Sequence, residues 1–204
     1  MQIVIIDYGM GNLASVYNAL KALGHEARIS GSPADIKDAD KIILPGVGAF
    51  CDTMEGLDGR NLLTALQKAI QDGKQYLGIC LGLQILFEKS EEGDAQGLGI
   101  FKGNVKRFQK EDGLKVPHIG WNSVDKRQII DDKMLLDGVK NYSYFYFVHS
   151  YYADPIDKSI IEATTDYGVR FASCIWKDNI HAVQFHPERS QDLGLEVLKK
   201  FIEM

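Results

Sequence analysis

The first half of the chain repeats one unit, a short run rich in β-branched residues followed by a stretch with apolar residues at helical spacing. Residues 2–7, about 26–30, 41–44 and 75–79 read as strands. Helices follow from Asn12 to a stop at Gly24, from Ser32-Pro33, and from Asn61 to Asp72 ahead of Gly73. Ser32 suits an N-cap and Pro33 a first helical residue, while glycines past the ends supply the left-handed closing conformation. Such a rhythm is satisfied by a parallel sheet with helices on its faces. The strand at 75–79 should feed a further helix, expected from Leu81 to Lys89.

From about residue 99 the texture changes to strands and turns, at 103–108, 120–125, 142–151, 160–164, 170–176 and 180–185. A last helix is expected from about Asp192 to Glu203, and pairing in this half should be antiparallel or mixed. The expected fold is therefore α/β: an open mixed, mainly parallel central sheet flanked by helices, with an additional antiparallel sheet, in one domain spanning residues 1–204. The alternating aromatics of Tyr142 to Phe147 read as a sheet surface, because no basic neighbours accompany them as a base-stacking platform would require.

A chain of 204 residues can bury roughly 70% of its unfolded surface, so it needs neither disulfides nor a structural metal. The formal charge of -5 is interspersed, which points away from nucleic acid and anionic membranes and toward a small molecule or a protein partner. The apolar stretch from Tyr76 to Phe87 is shorter than the ~18 residues of a membrane span. The N-terminus shows neither a basic region nor a cleavage site, so the cytoplasm is the expected location. Three cysteines, at 51, 80 and 174, lack C-x-x-C spacing, which argues against a disulfide framework and a zinc site; no metal or cofactor is expected.

The chemistry concentrates in three places. Gly78-Ile79-Cys80-Leu81-Gly82 is a G-x-C-x-G at a strand–helix junction, the thiol form of a nucleophile elbow. Its glycines permit the sharp turn, and the helix N-terminus favours a thiolate. His186-Pro187-Glu188, after a strand ending at Phe185, offers a base and a carboxylate to orient it. Pro45-Gly46-Val47-Gly48, at the exit of the strand before the elbow, is a glycine-rich loop able to aim backbone N–H groups at a developing oxyanion. Gly9-Met10-Gly11-Asn12-Leu13-Ala14 matches a dinucleotide-binding fingerprint, but the second strand closes on Ile29-Ser30-Gly31 without the acidic residue that would hold a ribose. Cys51 and Cys174 are assigned to packing.

Together these segments resemble the class I, triad-type glutamine amidotransferases, whose pattern is G-x-C-x-G-x-Q after a central strand and H-P-E near the C-terminus; Gln84 supplies the glutamine. Within that family the chain is similar to the glutaminase subunits of imidazole glycerol phosphate synthases. The markers are Asp7-Tyr8-Gly9-Met10-Gly11-Asn12-Leu13, Pro45 to Phe50, Gly78 to Gln84, Pro117-His118-Ile119-Gly120-Trp121-Asn122 and Phe185 to Glu188. Sister amidotransferases of other pathways typically carry histidine where Leu83 stands. The resemblance implies a flavodoxin-like amidotransferase fold, with Cys80 as nucleophile, His186 as proton shuttle and Glu188 orienting the imidazole. It further implies oxyanion N–H groups from Val47 and Leu81, and Gly48, Gln84, Glu92, Ser150 and Tyr151 around substrate glutamine. The implied partner is a (βα)8-barrel synthase subunit in a heterodimer that uses the ammonia for histidine biosynthesis, contacted through Pro117, Gly120, Trp121, Asn122 and Arg189. Arg189 stands where many relatives carry lysine, a different donor geometry.

Overall fold

The structure is a computed structural model and describes residues 1–109, 114–127 and 133–204. Chain order begins β1 (Ile3–Ile6), α1 (Leu13–Ala22), β2 (Ala27–Ser30), α2 (Pro33–Asp38), β3 (Lys41–Gly46), α3 (Phe50–Gly59), α4 (Leu62–Gln71), β4 (Gln75–Cys80) and α5 (Leu81–Gln84). It continues through β5 (Phe87–Ser90), β6 (Ala95–Gln96), β7 (Phe101–Arg107), β8 (His118–Lys126), β9 (Ser143–His149), β10 (Tyr151–Pro155), β11 (Ile161–Tyr167), β12 (Val169–Lys177) and β13 (Ile180–Val183), and ends in α6 (Gln191–Glu203).

Among the described residues the central sheet has nine strands, in the order β2-β1-β3-β4-β13-β12-β11-β8-β9. From β2 to β13 the pairings are parallel, and from β13 to β9 they are antiparallel. The pairings thus divide evenly, where the sequence suggests a parallel majority, because among the described residues the second half of the sheet has no crossover helices of the kind parallel neighbours require. β1 shows why the parallel half is apolar throughout. Ile3 and Ile5 join one core cluster with Leu20 and Phe201, while Val4 and Ile6 join the cluster on the other face with Leu57 and Leu66.

The smaller sheet, β10-β7-β5-β6, is mixed rather than antiparallel. β6 reverses the chain after β5, and β7 then returns along the other edge of β5 in the parallel sense. The helix expected from Leu81 to Lys89 is a correction: α5 ends at Gln84 and the chain becomes β5. Leu98 and Phe101 donate backbone hydrogen bonds to the carbonyls of Ile85 and Leu86, drawing this segment toward the second sheet. Residues 85–87 are all buried, so apolar spacing does not separate strand from helix here. The strand expected over 142–151 is two, β9 in the large sheet and β10 in the small one, with Ser150 between them. No helix among the described residues is long and apolar enough to cross a membrane.

Candidate active site

Strand register brings the chemistry together. Gly46 pairs with Cys80 across β3 and β4, and Val183 pairs with Ile79 across β13 and β4. The glycine loop, the cysteine and the H-P-E segment therefore leave the sheet side by side, at the carboxyl ends of three adjacent parallel strands. Cys80 adopts φ 55° and ψ -102°, a strained conformation for an L residue that persists only when its surroundings enforce it. They do: a Cβ on Gly78 would lie 2.3 Å from the Gly82 carbonyl oxygen, and one on Gly46 would lie 2.5 Å from Leu81 Cβ. The elbow is packed so closely that only hydrogen fits at these positions.

His186 opens a 3-10 turn over Pro187–Arg189, anchored by its own N–H to the Tyr146 carbonyl at 2.9 Å and by the Ser190 hydroxyl to the His186 carbonyl at 2.7 Å. Its Nδ1–H donates to Glu188 Oε1 over 2.8 Å, both side chains being 2% exposed. Because a carboxylate only accepts, this bond fixes the tautomer and leaves Nε2 as the working nitrogen. Nε2 is buried without a hydrogen-bond partner among the described residues. Burial alone would depress the His186 pKa, but the neighbouring Cys80 sulfur, followed by Glu188, outweighs it and holds the imidazolium up to about 10. A thiol and an imidazole set beside a buried carboxylate are the groups that nucleophilic catalysis requires.

One polar group beside Cys80 has no motif to announce it. Gln184, fully buried, donates from Nε2 to Cys80 Sγ at 3.4 Å. Gln84 Nε2 in turn donates to Gln184 Oε1 at 3.0 Å and to the Tyr151 carbonyl at 2.9 Å. Gln84, expected at the substrate, thus also braces the side chain that touches the thiol. Gln184 sits on a strand extension with no distinctive spacing, so only its place two residues before His186 could have drawn attention to it.

A cavity of about 460 Å³ opens over Cys80. Its lining gathers the expected residues: Cys80, His186 and Glu188, the loop residues Val47 and Gly48, and Leu81 at the start of α5. Gln84, Glu92, Ser150 and Tyr151 line it as well, and Pro117 and Arg189 stand at its wall. Gly120, Trp121 and Asn122 lie along β8 instead. Glu92 Oε2 accepts from the Phe50 N–H at 2.7 Å, which caps α3. The Arg189 guanidinium lies 5.7 Å from the Tyr146 ring centre. Asn12, expected as a helix start and as part of the first glycine-rich marker, also faces this cavity, so the first glycine loop opens toward the cysteine. The described residues contain no cluster of three or more groups suited to hold a metal.

The family described as glutamine amidotransferase class-I matches residues 4–204. The chain belongs to the class I glutamine amidotransferases. Within that family it stands with the HisH subunits. It is 48% identical over 208 residues to the imidazole glycerol phosphate synthase subunit HisH of Syntrophotalea carbinolica, covering 99% of this chain and 100% of that one. It is likewise 48% identical to HisH of Aquifex aeolicus, over 98% of this chain and 96% of the relative. The chloroplastic imidazole glycerol phosphate synthase hisHF of Arabidopsis thaliana is 47% identical over 98% of this chain, which covers 34% of that longer protein. Among solved structures, PurLQS from Thermotoga maritima superposes with a TM-score of 0.76 at 20% identity, covering 99% of this chain and 97% of that one. The glutaminase domain of CTPS from Trypanosoma brucei gives 0.66 at 16%, covering 100% and 94%. The likeness to those two is one of fold.

Proposed function

We propose that this chain hydrolyses glutamine and delivers the ammonia to a synthase subunit making imidazole glycerol phosphate. The observation that carries the chemistry is the buried His186–Glu188 pair set beside Cys80. The Cys80 thiolate attacks the side-chain amide carbon of glutamine. The oxygen, now negative, is held by the backbone N–H groups of Val47 and Leu81, each such donor contributing roughly 100- to 1,000-fold in rate. Imidazolium His186 protonates the departing nitrogen, which leaves as ammonia, and a glutamyl thioester remains on Cys80. Water then attacks the thioester with His186 as base, and glutamate is released with the thiolate restored. Glu188 keeps the imidazole oriented through both steps. Gly48, Gln84, Glu92, Ser150 and Tyr151 surround the substrate glutamine.

The partner is a (βα)8-barrel synthase subunit in a heterodimer. In hisHF the matched region is 34% of the protein, leaving room for a barrel of about 250 residues. Pro117, Gly120, Trp121, Asn122 and Arg189 form the contact: Ile119, Trp121 and Tyr144 are exposed apolar residues on the adjacent strands β8 and β9, an unusual concentration for a free surface. The complex works in the cytoplasm, and residues 1–204 act as one domain. Glutamate release from glutamine, measured with and without the barrel synthase plus its ribotide ligand, tests this reading. Strong activation by both supports it; silence under every condition, with folding verified, contradicts it.

A further inference from the structure

In the cavity wall beside Ser150 and Tyr151 stands His149, one of a pair of buried histidines, with His118, that the mechanism does not use. His149 Nδ1 is 2.8 Å from the Tyr151 carbonyl. A carbonyl only accepts, so Nδ1 carries the proton and, in the neutral ring, Nε2 is an acceptor. His118 Nδ1 lies 3.0 Å from that Nε2 and must donate to it. His118 Nε2 is then an acceptor as well, and it faces Asn122 Nδ2 at 3.3 Å. One carbonyl therefore fixes both tautomers, and the hydrogen bonds run in one direction from Asn122 on β8 to the back of the glutamine pocket.

The pair is costly as packing alone. His149 is surrounded by the rings of Phe108, Phe147 and Phe171, where a phenylalanine would bury more apolar surface and no polar atoms. Burial also keeps both imidazoles neutral, with pKa values lowered to about 3 for His149 and about 4 for His118. What the histidines add is a hold on one backbone group. The Tyr151 carbonyl accepts from His149 on one side and from Gln84 on the other, and the adjoining Ser150 carbonyl accepts from the Phe108 N–H at 3.1 Å. This is the segment that passes from the large sheet to the small one.

We infer that His149, set in its tautomer by the Tyr151 carbonyl and held from behind by His118, is a positioning residue that fixes the Ser150–Tyr151 backbone against which glutamine binds. The inference rests on the glutaminase reading. Its test is steady-state glutamine turnover by the full chain with the barrel synthase and its ligand. His149→Phe keeps the packing but removes donor and acceptor; KM for glutamine should rise about tenfold, the effect of about 1.4 kcal/mol, while kcat stays within about twofold because Gln84 and Gln184 still brace Cys80. His149→Gln keeps one donor and one acceptor and should recover KM to within about threefold.

A second readout needs neither turnover nor a variant. Nitrogen-15 spectra of the imidazole rings at pH 7 should show His149 and His118 neutral and protonated on Nδ1, against the Nε2–H form common in solution. An Nε2–H or charged form at either position, or an unchanged KM in His149→Phe, would overturn the inference alone. No turnover by the folded wild type in the complex would remove the glutaminase reading, and this inference with it.

Discussion

A Cβ placed on Gly82 would stand 2.0 Å from the carbonyl oxygen of Leu44, so the first turn of α5 presses directly on the end of β3. That contact sets the elbow: it allows Cys80 to leave β4 at positive φ with the glycine loop of β3 alongside. Gly82→Ala should therefore shift backbone as well as side chains and cost about 3 kcal/mol or more. Urea melts of the variant check this, with a midpoint close to the wild type as the contrary result.

Glu188 fixes His186 through a single buried bond. Glu188→Gln keeps the shape but removes the charge, so the His186 pKa should fall from about 10 and the imidazolium–thiolate pair should be less populated at neutral pH. The rate of Cys80 alkylation by iodoacetamide across pH 5–10 reports this. The variant's profile should move and its rate at pH 7 should drop; superimposable profiles would separate Glu188 from Cys80 reactivity.

Three buried histidines make stability depend on acid. His149, His118 and His181 have folded pKa values of about 3, 4 and 4, depressed mainly by burial, against about 6.5 when unfolded. Between pH 6.5 and 4 the unfolded chain binds the extra protons, so this stabilisation is complete above 6.5 and drains as pH falls, by up to about 1.4 kcal/mol per pH unit for each histidine. Glu162, pushed up by burial, and His186, held up to about 10, act in the opposite sense, two groups against three, and His186 changes only above pH 6.5. Urea midpoints at pH 7 and pH 5 should differ clearly, with the lower at pH 5.

Glu162 also carries a purely structural prediction. Its carboxylate accepts from the N–H groups of Leu135 and Leu136 at 3.2 and 2.5 Å and lies 3.5 Å from the Cys174 thiol, far along the sheet from the cavity. Glu162→Ala leaves two buried amides without an acceptor, each costing about 1–3 kcal/mol. Thermal stability should fall while kcat for glutamine turnover holds, and a matched loss of kcat would tie this region to catalysis.

The parallel half of the fold was legible because β-branched runs, caps and terminal glycines all agree there. The elbow, the loop and H-P-E were legible for a related reason: each needs particular residue types at fixed spacing. α3 carries no helical pattern because Gly56 and Gly59 interrupt it, and the pattern of α5 runs past its end because Ile85, Leu86 and Phe87 are buried whichever way the chain turns. Gln184 and the His118–His149 pair left no local trace. Their roles come from strands distant in sequence meeting at one carbonyl and one sulfur, which spacing along a chain does not encode.

The most direct test of the account is to quench the complex while it turns over glutamine and weigh the chain. A covalent adduct with the mass of a glutamyl group, mapped to the peptide bearing Cys80 and absent from Cys80→Ala, is the predicted result. Turnover that persists in Cys80→Ala, or an adduct on Cys51 or Cys174, would contradict it.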